Sequence, residues 1–219
     1  MVESFESRFT EFEQLLRTAR SVRKNLDLSR AIDPEDLRAA IDVAVQAPTG
    51  LLGENWRFLV VTAPDQKAKI AAIYEEILTQ LMSDRGMPMK ATHRALIDHL
   101  PNMPALIFVC AIGEPPADQG GQIGFYGSIL PAAWSLMLAL RGRGIGTTWT
   151  SLLNARADEI KTILELPDGV TQTAMFPAAY LGKATLRPAE REPADQVTFG
   201  DTWNSPFFEP LINEALNQH

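Results

Sequence analysis

The stretch from Ile123 to Arg143 does most to limit what this chain can fold into. It is apolar on nearly every side of a helix, with Pro131 inside it. A helix with no polar face has to be buried all round. Proline within it removes a backbone donor, so it either kinks the helix or marks a fresh start. The chain has 219 residues, which suits a single domain spanning 1–219. A helix wrapped on every side in so small a protein implies a core shared with a second subunit. Its longest apolar part, Ile129 to Leu140, is shorter than a bilayer span and ends at Arg141 and Arg143.

The elements expected around this helix mix helices with a few internal strands. Phe5, Phe9, Phe12 and Leu16 share one helical face, in a helix that should end near Arg20. A second helix starts cleanly, with Asp33 as N-cap, Pro34 in the first turn, and Glu35 and Asp36 at the positive end of the dipole. Leu37, Ile41 and Ala44-Val45 form its buried stripe, and Ala47-Pro48-Thr49-Gly50 breaks it. Strands are expected at Arg57–Thr62, Ala105–Ile112, Gly144–Thr150 and Thr173–Leu181. Helices are expected at Gln66–Asp84, Ala91–His99 and Arg156–Leu166, and Gly113–Gln122 reads as a loop. The run Ala105–Ile112 is continuously apolar, the mark of a strand covered on both faces. From Arg187 to His219 the chain is rich in proline and polar residues, yet it carries Phe199, Trp203, Phe207 and Phe208. Such aromatics are usually buried, so an arm wrapped on a partner subunit explains them better than disorder.

Charge and cysteine usage narrow the function. The net charge is -7 and the pI about 5.0, which disfavours nucleic acid and anionic lipid as partners. The N-terminus, Met1 to Glu6, is acidic and has no apolar core of a signal peptide. The only cysteine, Cys110, sits in the apolar run and reads as a small buried hydrophobe. No intrachain disulfide is possible, and a reducing cytoplasm fits.

Four segments carry polar groups that a ligand could use. Arg20-Ser21-Val22-Arg23 follows a helix, and its two guanidiniums can grip a phosphate in forked fashion. A solvated basic helix end is the ordinary reading of the same residues. Pro48-Thr49-Gly50 opens a loop of small residues before Trp56-Arg57-Phe58, where a backbone could approach a planar ligand closely. Gly144-Ile145-Gly146-Thr147-Thr148-Trp149-Thr150-Ser151 offers hydroxyls and amides, and Arg187 and Arg191 follow late in the chain. No catalytic set accompanies them. His93 and His99 lie six apart, outside any zinc-protease spacing, and the nucleophile elbow, the P-loop and the dinucleotide fingerprint are all missing. An enzyme of this kind leaves the hard chemistry to a cofactor.

In their order and spacing, R-S-x-R, A-P-[ST]-G before W-x-F, G-[IL]-G-T and the late R-x-P-x-D-Q resemble the nitroreductase superfamily of flavoproteins. The likeness runs from about Thr18 to Val197, and Gln46–Glu75 also resembles the matching part of iodotyrosine deiodinases. It implies an α+β fold with a central mixed sheet surrounded by helices, in an interlocked homodimer whose arm, 187–219, wraps the partner. It implies FMN as cofactor and NAD(P)H as reductant. Arg20, Ser21 and Arg23 would hold the phosphate and ribityl chain, joined by Arg191. Pro48, Thr49 and Gly50 would line the isoalloxazine from the other subunit, and Thr150 and Ser151 would face its pyrimidine and N5 edge. The chain departs from the family pattern at Leu52 and at Glu54-Asn55. The Glu and Tyr of the deiodinase substrate clamp would fall at Leu78 and Met82, which disfavours deiodination. The expected activity is ping-pong reduction of electron-poor acceptors such as nitroaromatics or quinones. The alternatives are a flavin store with Leu51-Leu52 filling the substrate space, and a specialised flavin reaction such as alkene reduction or flavin fragmentation. No residue is required as a proton donor, and none is named as catalytic.

Overall fold

The structure, a computed structural model, describes residues 5–50, 53–183 and 185–208, with side chains from Thr10 onward. The chain divides into two compact units, the first ending at Leu186 and the second beginning at Arg187. The described part of the first unit holds helices α1 (Phe5–Thr18), α2 (Pro34–Ala44), α3 (Pro64–Asp84), α4 (Ala91–His99), α5 (Gln119–Gly127), α6 (Leu130–Gly142) and α7 (Ala157–Leu164). Its strands are β1 (Leu26–Asp27), β2 (Trp56–Val61), β3 (Ala105–Ile112), β4 (Ile145–Thr147) and β5 (Val170–Leu181).

The strand order is β1-β5-β3-β2, and β4 also pairs with β5. Every pairing among the described strands is antiparallel, which corrects the expected mixed sheet. A continuous apolar run reports burial on both faces but carries no information on strand direction. β3 shows why the alternation is missing. Ile107, Val109 and Ala111 face one core with α2, α5 and α6, whereas Leu106, Phe108 and Cys110 face another with α3, α4 and α7. Each fully buried Leu, Ile or Phe here contributes about 1.5–3 kcal/mol, so the two cores fix the register of β3 firmly.

α2 begins as its sequence requires. Asp33 accepts the amide of Glu35 at 2.9 Å, and Pro34 occupies the first turn. Its start is tied to the sheet by Tyr180, whose hydroxyl donates to Asp36 (2.7 Å) and accepts from the Asp33 amide (3.2 Å), with Arg30 stacked over its ring. β1, only two residues long, pairs with Tyr180 and Leu181 and was not expected.

The apolar stretch resolves into two helices. α5 starts within the expected loop, because Asp118 caps it by accepting the Gly121 amide at 2.8 Å. It ends at Gly127, and Pro131 marks a fresh helix start. α6 buries Ala132, Ala133, Leu136, Met137, Ala139 and Leu140. Burial is not complete on every side: Ile123 is 66% exposed and Trp134 41%. By length and composition Gln119–Gly142 could cross a membrane, but it is two helices, and one face of α6 is core. Phe12 of α1 is also exposed, and Phe5 and Phe9 of the expected face lie outside the described side chains.

In the second unit, Phe199 stacks on Trp203 with ring centroids 5.2 Å apart, and Phe207 donates its amide to the Thr198 carbonyl. Phe199, Trp203, Phe207 and Phe208 all remain exposed. The last residues, 209–219, lie outside the described part.

Cys110 is buried in β3, where burial pushes its thiol up to about 11. A thiolate is the reactive form, so native protein should not react with a disulfide reagent at neutral pH. One equivalent should appear on adding denaturant. Rapid labelling of native protein would place Cys110 at the surface instead.

Candidate functional site

The arginine segment is positioned by a short strap. α1 closes at Thr18, whose hydroxyl donates back to the Gln14 carbonyl at 2.7 Å. The chain then runs out of helix along β4. The Val22 amide donates to the Thr147 carbonyl (2.8 Å), and the Thr148 hydroxyl donates to the Val22 carbonyl (2.9 Å). Gly146 makes that approach possible: a Cβ there would sit 2.7 Å from Leu181, 3.0 Å from Leu26 and 3.3 Å from Val22. Val22 is buried, leaving Arg20, Ser21 and Arg23 as the groups with solvent-facing surface.

Beyond β4 the chain follows the edge of β5. Thr150 exchanges backbone hydrogen bonds with Met175, at 3.1 and 2.8 Å. Its hydroxyl accepts the Leu152 amide at 3.3 Å. The 3-10 turn Leu152–Arg156 ends this strap, and Arg156 pairs with both Glu76 of α3 and Glu159 of α7. Thr150 is buried and Ser151 exposed. Tyr74 of α3 links the two segments. Burial raises its pKa, opposed by its hydrogen bond with Thr150 and by the charge of Arg23. The structure therefore brings Arg20–Arg23 and Thr147–Ser151 together along one sheet edge.

Pro48, Thr49 and Gly50 are exposed and sit elsewhere on the chain. The Gly50 amide donates to the Ser128 hydroxyl at 3.2 Å, between α5 and α6. A Cβ at Gly50 would come within 2.8 Å of that oxygen, so glycine is explained here by packing within the chain. Leu51 and Leu52 lie outside the described residues. Arg191 belongs to the second unit, where it is exposed and donates to the neighbouring Glu190 carbonyl at 3.0 Å.

Two groups were missed from sequence. Arg141, in the last turn of α6, shares a crevice with Ala19, Arg20, Gly146 and Thr147. Its Nε is buried without a hydrogen-bond partner among the described residues. The orphaned Nε of Arg141 and the guanidinium of Arg20 supply donor chemistry that suits an oxyanion such as the phosphate of FMN, but the crevice between them is only about 10 Å³, no more than the space of one water. The signal that could have found it is the spacing Arg141-x-Arg143 just before Gly144, which in the sequence marks only the end of the apolar stretch. The second group is on α4. His99 donates from Nδ1 to the Arg23 carbonyl at 3.1 Å, and His93 has its own Nδ1 buried without a described partner.

Helices on both faces of an antiparallel sheet, with an arginine-bearing segment strapped to the strand after the long buried helix, define a nitroreductase-like fold. The nitroreductase family model matches residues 16–180, and the chain belongs to that family. It is 30% identical to iodotyrosine deiodinase 1 of Homo sapiens over 200 residues, 87% of this chain and 68% of that protein. By structure it resembles oxidized iodotyrosine deiodinase bound to FMN and 3-iodo-L-tyrosine, with a TM-score of 0.62 at 20% identity over 83% of this chain and 95% of that one. It also resembles a BluB-like flavoprotein from Clostridium difficile 630, with a TM-score of 0.66 at 20% identity over 87% and 99%.

Burial, then the nearby charges of Arg23 and Lys90, holds the His93 imidazole below its usual pKa of 6.5. As pH falls through the unfolded value, the unfolded chain gains a proton before the folded one does. Stability contributed by neutral His93 is thus full above about pH 6.5 and lost as pH falls toward the folded pKa. Denaturant melts from about pH 7.5 to 5 should show His93→Gln losing less stability over that range than wild type. An identical pH profile for both would remove His93 from this account.

Proposed function

We propose that the protein is an FMN-dependent oxidoreductase that uses NAD(P)H to reduce electron-poor small molecules, nitroaromatics or quinones among them. The observation that carries this reading is the strap that sets Arg20 and Arg23 beside Thr147–Ser151, in a chain of the nitroreductase family. When bound, FMN would supply the redox chemistry, taking hydride equivalents from the nicotinamide and passing them to the acceptor in a ping-pong sequence. Arg20, Ser21 and Arg23 would hold the phosphate and ribityl chain, with Arg191 as a further phosphate ligand. Thr150 and Ser151 would border the ring edge, and Pro48, Thr49 and Gly50 would line the ring from a second subunit. The chain's own contribution is to hold reactants in contact and to exclude water.

The assembly proposed is a cytoplasmic homodimer, with 187–219 as an arm on the partner and neither nucleic acid nor membrane as partner. The exposed Ile123, Trp134, Phe199, Trp203, Phe207 and Phe208 support it, since apolar surface of this kind is usually covered.

The deiodinase relatives favour a second reading, a specialised flavin reaction in the same site. Leu78 and Met82, at the positions of the deiodinase Glu and Tyr, are buried in the core between α3 and the sheet. That weighs against a zwitterionic amino acid as substrate and for a neutral, electron-poor one.

Purified protein should be yellow and release FMN on heating. NADPH or NADH should bleach it, and a nitroaromatic or quinone should restore the colour. A colourless protein indifferent to added FMN would overturn the reading. Binding without bleaching would leave a flavin store, and turnover of 3-iodotyrosine would favour the second reading.

Arg191→Ala should weaken FMN binding about 10- to 150-fold, the range expected for one charged hydrogen bond worth about 1.5–3 kcal/mol. Riboflavin, which lacks the phosphate, should bind mutant and wild type alike. Equal losses for both ligands in a fluorescence titration would make Arg191 an ordinary surface charge.

Light scattering should find a dimer. A stable, flavin-loaded monomer would refute the two-chain site.

A further inference from the structure

We propose that His99, the last residue of α4, is a positioning residue for the phosphate grip: it aims Arg23 by holding its backbone. The inference rests on the FMN reading above. It adds to that reading a residue from another helix, one that acts through Arg23 and not on the cofactor itself.

The chain on either side of Arg23 is tied to the sheet. Val22 is held to Thr147 and Thr148 by its amide (2.8 Å) and its carbonyl (2.9 Å). The Asn25 carbonyl accepts the Gly182 amide at 2.8 Å, and Leu26 and Asp27 pair with β5. Arg23 stands between these ties and is bound to a helix instead: its carbonyl accepts from Nδ1 of His99 at 3.1 Å. This is the one hydrogen bond at Arg23 among the described residues. Asn25 has a left-handed φ of 58°, so the chain turns there and strand pairing does not dictate the direction of Arg23.

The guanidinium depends on that hold. It has no hydrogen bond or ion pair among the described residues. The groups that feel its charge, Tyr74 and His93, offer it no anion: burial raises the Tyr74 pKa and holds that of the His93 imidazole down. A forked donor has to meet an oxyanion in the right direction, and here the backbone sets that direction. His99 suits the task. A carbonyl can only accept, so Nδ1 carries the hydrogen. A protonated imidazole carries it there too, so the tie survives a change of charge on the ring. The ring also stands on a firm base, since Ile97 and Leu100 beside it are buried in the core with α3 and β3. A donor held in this way fixes Arg23 before any ligand arrives, and less freedom is then lost on binding.

The test is titration of the flavin-free full chain with FMN and with riboflavin, in wild type, His99→Leu and His99→Asn. Asparagine places its Nδ2 where the imidazole has Nδ1, so it keeps the donor, and leucine does not. His99→Leu should weaken FMN about two- to tenfold, the range of one ordinary hydrogen bond, and leave riboflavin as in wild type. His99→Asn should recover most of the FMN affinity. In an Arg23→Ala background, His99→Leu should cost nothing further, because the group it aims is gone. Thermal melts show whether each variant is folded. If leucine unfolds the chain, His99→Gln, whose donor lies one bond too far out, takes its place. Three outcomes would overturn the inference: unchanged FMN affinity in a folded donor-less variant, equal losses for FMN and riboflavin, or a full further loss in the Arg23→Ala background. The second would make His99 a purely structural residue, and the third would mean that it acts without Arg23. A wild type that binds no FMN would overturn the flavin reading and this inference with it, whereas FMN binding with any of those three outcomes overturns the inference alone.

Discussion

The arginine segment and the Thr147–Ser151 strap both reach their place through the backbone ladder of β5. That strand pairs with β1, β3 and β4 and carries the isolated bridge to Thr150. Buried backbone donors and acceptors have to be matched, and on this edge they are matched by the chain from Ile145 to Thr150. Val22 is then hydrogen-bonded to that chain in turn. Arg20 and Arg23 are therefore two hydrogen-bonded steps from a strand fixed by both cores. Such ordering in advance of ligand is what lets a few polar contacts act with full effect, because little entropy is lost when the ligand arrives.

How legible all this was in the sequence depended on whether the signal was local. The Asp33-Pro34 cap, the apolar run of β3 and the long α3 were readable because cap chemistry, periodicity and burial are written in neighbouring residues. β1 was not, because two residues become a strand only when Tyr180 and Leu181, more than a hundred positions away, pair with them. Nor was the direction of the strands, since β3 and β5 are apolar on both faces and a uniform run looks the same either way. The break between α5 and α6 was half legible: Pro131 announced it, but the loop-like Gln119–Gln122 hid the earlier helix start that Asp118 caps. In the site, the arginine segment and the Thr150–Ser151 strap each read as ordinary polar sequence. Only their order along the chain, matched to a family, singled them out. Arg141 escaped even that, because a basic residue in the last turn of a helix already has a sufficient explanation in the helix dipole.

The chain's acidity and its arginine-rich edge are compatible because they act over different lengths. A net charge of -7 governs which large surfaces the protein can approach. Screening confines exposed charges to roughly 8–10 Å in physiological salt, so an anion beside the strap would respond mainly to the arginines next to it and not to the net charge of the chain. The acidic groups that do cluster lie elsewhere, as Glu114 and Asp158 do at a hollow beside Gln172.

Pro48, Thr49 and Gly50 pose a different problem. The Gly50 amide is anchored on Ser128, in the break between α5 and α6, and those two helices carry the exposed Ile123 and Trp134. The loop is thus held on helices whose own apolar surface is unfinished. In the proposed homodimer a second copy covering that surface would pack beside this loop. The break at Ser128, which leaves neither α5 nor α6 a complete core helix, would then serve to present the loop.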